Sequence, residues 1–235
     1  MLSIIIPVYN EIRTIEEIIN KVNKINFIKK EIILVDDCST DGTISLIKNK
    51  LYKKVHKVIY HENNQGKGAA IRSAQKMITG DIVIIQDADL EYNPEDYFVL
   101  VAPILSKKFD VVYGSRVLGK SRYRSKNFTS KFRIFANHLL TIISNFINNQ
   151  NLTDAHTCYK VFKSSIFRKI ELHEKGFSFC PEITTKLSNM RINIFEVPIS
   201  YNGRDVKEGK KIKFKDAIEA LLVLIKYKFF NQKNS

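Results

Sequence analysis

The chain has 235 residues, enough for one α/β domain with appended elements and a core of its own. With 44% hydrophobic and 26% charged residues it is no disordered or fibrous chain, and its three scattered cysteines, Cys38, Cys158 and Cys180, argue against a disulfide framework or a zinc site. The 38 Lys and Arg against 24 Asp and Glu leave a net charge of +14, which points to an anionic partner, although an AT-rich coding bias toward Lys, Asn and Ile explains part of that surplus equally well.

The first apolar run, residues 3–8, reads as a strand and ends in Pro7-Val8-Tyr9-Asn10-Glu11. Pro7 ends ladder pairing, and Tyr9 offers a flat ring on which a base can stack. A helix is predicted over 14–24 and a second strand over 31–36, which runs into Asp36-Asp37-Cys38-Ser39-Thr40-Asp41-Gly42-Thr43. One of these aspartates can accept from base or ribose donors, while Ser39 to Asp41 supply a turn and a helix N-cap. A helix over 43–52 and a strand over 55–61 follow, then Asn63-Asn64-Gln65-Gly66-Lys67-Gly68 at the start of a helix over 67–79. Two glycines bracketing a lysine at a helix N-terminus suit a phosphate. The Walker spacing and the third glycine of the dinucleotide fingerprint are both missing, so a nicotinamide enzyme is disfavoured.

The strand over 81–86 is short, β-branched and apolar on both faces, as a buried parallel strand should be. It runs straight into Asp87-Ala88-Asp89-Leu90-Glu91, three carboxylates spaced two apart. Burying them together is costly unless a cation neutralises them, and hard divalent cations share their coordination with phosphate oxygens. The pattern predicts a site for a metal and a nucleotide diphosphate. A helix over 94–107 and a strand over 110–114 complete a strand-helix alternation that predicts a doubly wound, mostly parallel sheet.

From Val111 to Thr153 the chain has no acidic residue, and Arg116, Lys120, Arg122, Arg124, Lys126, Lys131 and Arg133 lie within that stretch. Phe132, Phe135, Leu139, Ile142 or Ile143 and Phe146 step by three and four, a helix with a basic start and an aromatic face. A second such segment spans 217–225, preceded by Lys210, Lys211, Lys213 and Lys215 and followed by Lys226-Tyr227-Lys228-Phe229-Phe230. Each reads either as a segment lying in a membrane interface or as a helix docked on the core beneath solvated lysines. Two of them together favour the interface, where each lysine near an anionic surface contributes ~1 kcal/mol. No apolar run reaches the ~20 residues that span a bilayer, and the N-terminus lacks a basic leader, so the expectation is a cytoplasmic chain, peripheral on a membrane. A single domain over 1–235 is expected, with a nucleotide-binding half over 1–115 and a membrane-facing half over 116–235.

The ordered set Pro7-Val8-Tyr9-Asn10-Glu11, Val35-Asp36-Asp37, Asn64-Gln65-Gly66-Lys67-Gly68 and Gln86-Asp87-Ala88-Asp89 resembles family-two glycosyltransferases of the GT-A fold. Gly114-Ser115-Arg116, Thr153-Asp154 with Cys158-Tyr159-Lys160, Pro181-Glu182-Ile183, and Glu196-Val197-Pro198-Ile199 through Arg204 and Lys210 resemble the dolichyl-phosphate mannosyltransferase branch, which acts on polyprenyl phosphates. The resemblance implies that Pro7, Tyr9, Glu11, Val35 and Asp37 hold the nucleoside. It also implies that Asp87 and Ala88 contact ribose and diphosphate, and that Asp89 ligates Mg2+ or Mn2+, with Glu91 a second candidate. Arg116 would meet the sugar phosphate or the acceptor phosphate, Arg204 and Lys210 would close over the diphosphate, and Arg133 would bind the lipid phosphate. Asp154 is either a base for hydroxyl acceptors or an orienting group, and the five histidines read as structural.

The implied activity is inverting transfer of a hexose from GDP-mannose or UDP-glucose to polyprenyl phosphate. The alternative is the same fold acting on a saccharide or other hydroxyl acceptor in cell-surface glycan synthesis. A nucleic-acid-binding protein, which the charge alone would allow, is disfavoured because no recognised nucleic-acid module is present.

Overall fold

The computed structural model describes residues 1–118, 128–203 and 214–230, with side chains described outside 119–133 and 204–216. Strands β1 (Leu2–Val8), β2 (Lys30–Asp36), β3 (Lys57–Tyr60), β4 (Ile82–Ile85), β5 (Val111–Ser115), β6 (Lys160–Lys163) and β7 (Ile194–Pro198) form one sheet. Its seven strands run in the order β3-β2-β1-β4-β6-β5-β7. β1 pairs in parallel with β2 and β4, β2 with β3, and β5 with β7; only β6 is reversed, antiparallel to both β4 and β5. The mostly parallel sheet expected from the alternation is therefore present.

The central strands are buried on both faces: Ile4, Ile5, Ile6, Ile32 to Val35 and Val83 to Ile85 have no exposed surface. Fully burying each such side chain contributes roughly 1.5–3 kcal/mol. Helix α1 (Ile15–Lys24) covers this core with Ile15, Ile18, Ile19 and Val22, spaced three and four apart. Its first turn carries Glu16 and Glu17 and its last turn Lys21 and Lys24, matching the helix dipole at both ends.

Several elements depart from expectation. The helix predicted over 43–52 is only α2 (Thr43–Leu46), continued by a π-helical turn over Ile47–Leu51 and a 3-10 turn over Tyr52–Lys54. α3 (Lys67–Gln75) ends before Thr79, and α4 (Tyr97–Leu105) begins after a 3-10 turn at Pro94–Asp96. β6 and β7 were not anticipated as strands. β6 has only four residues with a lysine at each end. Lys160 is nonetheless fully buried, donating to the Ala155 carbonyl at 2.9 Å with its ammonium 3.7 Å above the Tyr113 ring.

Three helices fill the second half: α5 (Phe128–Asn148), α7 (Phe179–Asn189) and α8 (Phe214–Ile225), with α6 (Ser164–Phe167) a single turn after β6. α5 is inverted relative to an ordinary surface helix. Its inward side is polar: Thr141, Ser144 and Asn148 are buried, and the Asn148 amide donates to Thr185 Oγ1 at 3.1 Å. Its outward side is apolar, with Phe135, Leu139, Ile142 and Phe146 exposed, Phe146 by 88%. α8, which contacts α5, and the π-helical turn after it, Lys226–Phe230, expose Ile218, Leu222, Ile225, Phe229 and Phe230. No helix among the described residues is long and apolar enough to cross a membrane.

Candidate active site

β1 has its sequence neighbour β2 on one side and β4 on the other, so the strand order reverses between β1 and β4. In an open α/β sheet a crevice forms outside the carboxyl ends of the strands at such a switch. A cavity of about 240 Å³ lies there. Pro7, Val8, Tyr9 and Glu11 line it from β1, Asp37 from β2, and Asn64, Gly66, Lys67 and Ala70 from the start of α3. Asp87, Ala88, Asp89 and Glu91 close it after β4, and Gly176 and Phe177 cover it from the loop before α7. Nine of the predicted donor-side residues thus meet in one place.

Several of the residues expected to hold the nucleoside border this cavity. Glu11 lines the cavity, but its Oε2 accepts from Thr14 Oγ1 at 2.9 Å and its carbonyl receives the first N–H groups leading into α1. Asp37 is engaged by its own scaffold: Oδ1 accepts from the Gln65 N–H at 2.9 Å, Oδ2 from the Gly66 N–H at 2.7 Å, and His61 Nδ1 lies 2.7 Å from Oδ1. Its carboxylate shapes the turn into α3 and borders the cavity at the same time. His61, read from the sequence as structural, braces that carboxylate and reaches Ser73 Oγ at 2.9 Å on its other nitrogen. Val35, also expected to hold the nucleoside, is fully buried in β2 between β1 and β3 and is not among the residues that line the cavity.

Gly66 has φ of +93°, and a Cβ there would stand 2.5 Å from the Lys175 carbonyl oxygen. Glycine is needed both for that left-handed turn and for the close approach of the 174–176 loop. The start of α3 borders the cavity through Gly66, Lys67 and Ala70, while the Ala69 N–H is donated to the Lys175 carbonyl at 3.1 Å.

Gln86 sets the orientation of the acidic loop. Its side chain is fully buried, accepts from Tyr97 and Tyr159 hydroxyls at 2.8 and 2.7 Å, and donates to the Asp87 carbonyl at 2.9 Å. Asp87 forms an ion pair with Lys67, whose ammonium lies 3.3 Å from Cys158 Sγ. Burial opposes the charge on Lys67, but the Asp87 carboxylate outweighs it and keeps the ammonium protonated well above the usual lysine range. Burial pushes the Cys158 thiol well up, so it stays neutral. Asp89 Oδ1 accepts the Glu91 N–H at 3.1 Å across a turn in which Leu90 has φ of +63°. Glu91 Oε2 accepts from the Tyr201 hydroxyl at 2.8 Å.

Among the described residues no three His, Cys, Asp or Glu side chains converge as a ready-made metal cage. What fits is a cation held by one or two carboxylates and completed by phosphate oxygens, and Asp87, Asp89 and Glu91 face one cavity able to take it.

Arg116 stands beside this cavity rather than in its lining. Its Nε and one terminal nitrogen donate to Asp154 at 2.7 and 2.8 Å, a bidentate pair, and its backbone N–H donates to the same carboxylate at 3.1 Å. Burial opposes ionisation of Asp154, but Arg116 outweighs it and holds the carboxyl below the usual range. Asp154 thus has both carboxylate oxygens engaged by Arg116. It is presented in turn by Glu196 of β7, which accepts from the Thr153 and Asp154 N–H groups at 2.6 and 2.9 Å. The Tyr201 ring lies 5.1 Å from the Arg116 guanidinium. Neither Glu196 nor Tyr201 was assigned a role from the sequence. Arg204 and Lys210 lie outside the described residues, as does the side chain of Arg133, which is placed on α5 by its backbone alone.

The sequence pattern of Glycosyl transferase family 2 matches residues 3–171. Among curated proteins, the UDP-N-acetylglucosamine–dolichyl-phosphate N-acetylglucosaminyltransferase of Methanococcus voltae is 28% identical over 217 residues, covering 85% of this chain and 84% of that protein. The dolichyl-phosphate beta-glucosyltransferase ALG5A of Trichomonas vaginalis is 27% identical, covering 98% of this chain and 74% of its own length. The dolichol-phosphate mannosyltransferase of Pyrococcus furiosus is 27% identical, covering 88% of this chain and 58% of its own. Among solved structures, glucosyl-3-phosphoglycerate synthase of Mycobacterium tuberculosis with Mn2+, uridine-diphosphate and phosphoglyceric acid superposes with a TM-score of 0.71. It is 17% identical and covers 97% of this chain and 78% of that one. At that identity the likeness speaks for the fold, which is the GT-A fold anticipated from the motifs.

Proposed function

This chain belongs to glycosyl transferase family 2, and on that premise we propose that it moves a hexose from a nucleoside diphosphate sugar to a polyprenyl phosphate at the cytoplasmic face of a membrane. The observation that carries this reading is the convergence of Tyr9, Lys67, Asp87, Asp89 and Glu91 on one cavity at the β1–β4 switch. The three relatives are named for three different sugars on a dolichyl-phosphate acceptor, which supports the acceptor class and leaves mannose and glucose both open. We take residues 1–235 as one transferase domain, with donor contacts mainly from 1–115 and acceptor contacts from 116–235.

The base stacks on Tyr9, and the diphosphate lies between the N-terminus of α3 and the acidic loop. Asp89, with Asp87 or Glu91, would hold Mg2+ or Mn2+, which as a Lewis acid offsets the charge growing on the leaving diphosphate. Lys67 adds fixed positive charge at the same wall. An acceptor phosphate oxygen attacks the anomeric carbon from the face opposite the diphosphate; the new C–O bond forms as the old one breaks, and the configuration inverts. That oxygen is already anionic at neutral pH, so no strong base is needed. Asp154, the carboxylate a hydroxyl acceptor would call on, is bound to Arg116 on both oxygens, which favours the phosphate acceptor. Asp154 fixes the guanidinium plane of Arg116, and Arg116 positions the acceptor phosphate.

The membrane assignment rests on α5 and α8. A helix whose inner face is polar and whose outer face is aromatic and aliphatic matches an apolar medium outside it. On the turn after α8, Lys226 pairs with Glu174 and Lys228 donates to Ser188 Oγ, so the apolar faces of the two helices, rather than these lysines, carry the assignment.

The test is a thermal-shift screen of GDP and UDP with Mn2+, followed by hexose transfer to a short polyprenyl phosphate or to free saccharides. One nucleotide should stabilise the protein only with metal, by about 2.7 kcal/mol at a hundredfold excess over its Kd. Transfer should go to the phosphate, and Asp89→Ala should abolish it while leaving the unfolding midpoint without ligand unchanged. Metal-independent turnover by Asp89→Ala, or transfer to saccharides alone, would reject the reading.

A further inference from the structure

We propose that Tyr201 is a positioning residue with two separable roles, orienting the acidic-loop carboxylate Glu91 through its hydroxyl and the Arg116 guanidinium through its ring. The inference rests on the donor and acceptor roles assigned above. It goes beyond them by tying both halves of the reaction to one side chain that follows β7.

The geometry is specific at each end. The Tyr201 hydroxyl donates to Glu91 Oε2 at 2.8 Å, and the ring face meets the Arg116 guanidinium carbon at 5.1 Å. Burial and the Glu91 carboxylate, opposed by Arg116, keep the phenol protonated far above neutral pH, so it remains a donor. The backbone beneath is pinned to the acidic loop: Tyr201 forms an antiparallel bridge with Tyr92, the Asn202 N–H donates to the Glu91 carbonyl at 2.9 Å, and the Ser200 N–H to Asp96 at 2.7 Å. The ring is set edge-on against Tyr92 at 5.1 Å, and a Cβ on Gly203 would stand 2.9 Å from it. Tyr201 is thus a braced strut whose two ends reach different chemical groups. An outer partner that orients a metal-binding carboxylate is worth 10–100-fold in metal affinity. A ring beneath a guanidinium restrains its plane by cation–π attraction.

The two roles separate by substitution. Tyr201→Phe removes the hydroxyl and keeps the ring; Tyr201→Leu removes both. With GDP or UDP present, Mn2+ titrated by calorimetry should bind Tyr201→Phe about tenfold more weakly than wild type. The KM for a short polyprenyl phosphate should stay at the wild-type value in Tyr201→Phe and rise several-fold in Tyr201→Leu. Unchanged Mn2+ affinity in Tyr201→Phe overturns the proposal, as does a parallel fall in thermal midpoint of both variants with no change in either constant. If wild type itself binds no Mn2+ with either nucleotide, the functional reading falls and this inference with it.

Discussion

At Glu31 charge and stability are closely linked, and this residue lies at the opposite end of the sheet from the cavity. It stands at the start of β2, almost wholly buried. Burial alone would raise its pKa, yet Ser3 Oγ and the Thr79 N–H at 2.5 Å and Lys57 Nζ at 3.0 Å outweigh burial and hold it at about 2 against an ordinary 4.5. A carboxyl lowered on folding contributes stability above its unfolded pKa and loses it as pH falls through the folded value. Glu31→Gln should therefore cost up to about 3 kcal/mol at pH 7, with the gap to wild type closing between roughly pH 4.5 and pH 2. Urea unfolding across that range checks this, and a gap independent of pH would contradict it. The sequence did not mark Glu31, because its partners come from three distant segments. Asp87 and Asp89 were legible for the opposite reason: the chemistry of that loop is contiguous with its strand.

At the scale of elements, the inverted helix α5 makes an independent prediction. Phe146 and Leu139 face away from the protein, so Phe146→Ser with Leu139→Ser should change unfolding free energy by no more than about 0.5 kcal/mol each. The same double substitution should weaken flotation with anionic vesicles at least about tenfold, since each large apolar side chain placed in lipid contributes about 1.5–3 kcal/mol. Equal flotation would remove α5 from the membrane face. The 3.6-residue stepping of α5 was readable because aromatics mark it. Whether that stripe faces inward was not, because its direction depends on the polar residues of α7 opposite, Thr185 and Ser188, which donate or accept across the helix pair. β6 was invisible for a related reason: with a lysine at either end of four residues, its strand character comes from Tyr113 beneath Lys160 rather than from its own pattern. Tyr201 was missed likewise, since its partner Glu91 lies 110 residues away in the chain.

For the molecule as a whole, the alternation of the first 115 residues was enough to read the fold class, but not how the two halves interlock. β5 lies within residues 1–115, yet its only sheet neighbours are β6 and β7, and β4 has β6 on its open side. A fragment of residues 1–115 should therefore give weak far-UV CD cooperativity and rapid proteolysis, and a protease-resistant fragment with a sharp thermal transition would show the first half to be self-sufficient. The reversed strand β6 carries this further. During synthesis, β5 emerges from the ribosome more than forty residues before the strand that links it to β4, and the pocket wall of Gly176 and Phe177 follows later still. The walls of the nucleotide cavity supplied by residues 7–91 are therefore made first, and its cover closes only after β6 has joined the two halves of the sheet.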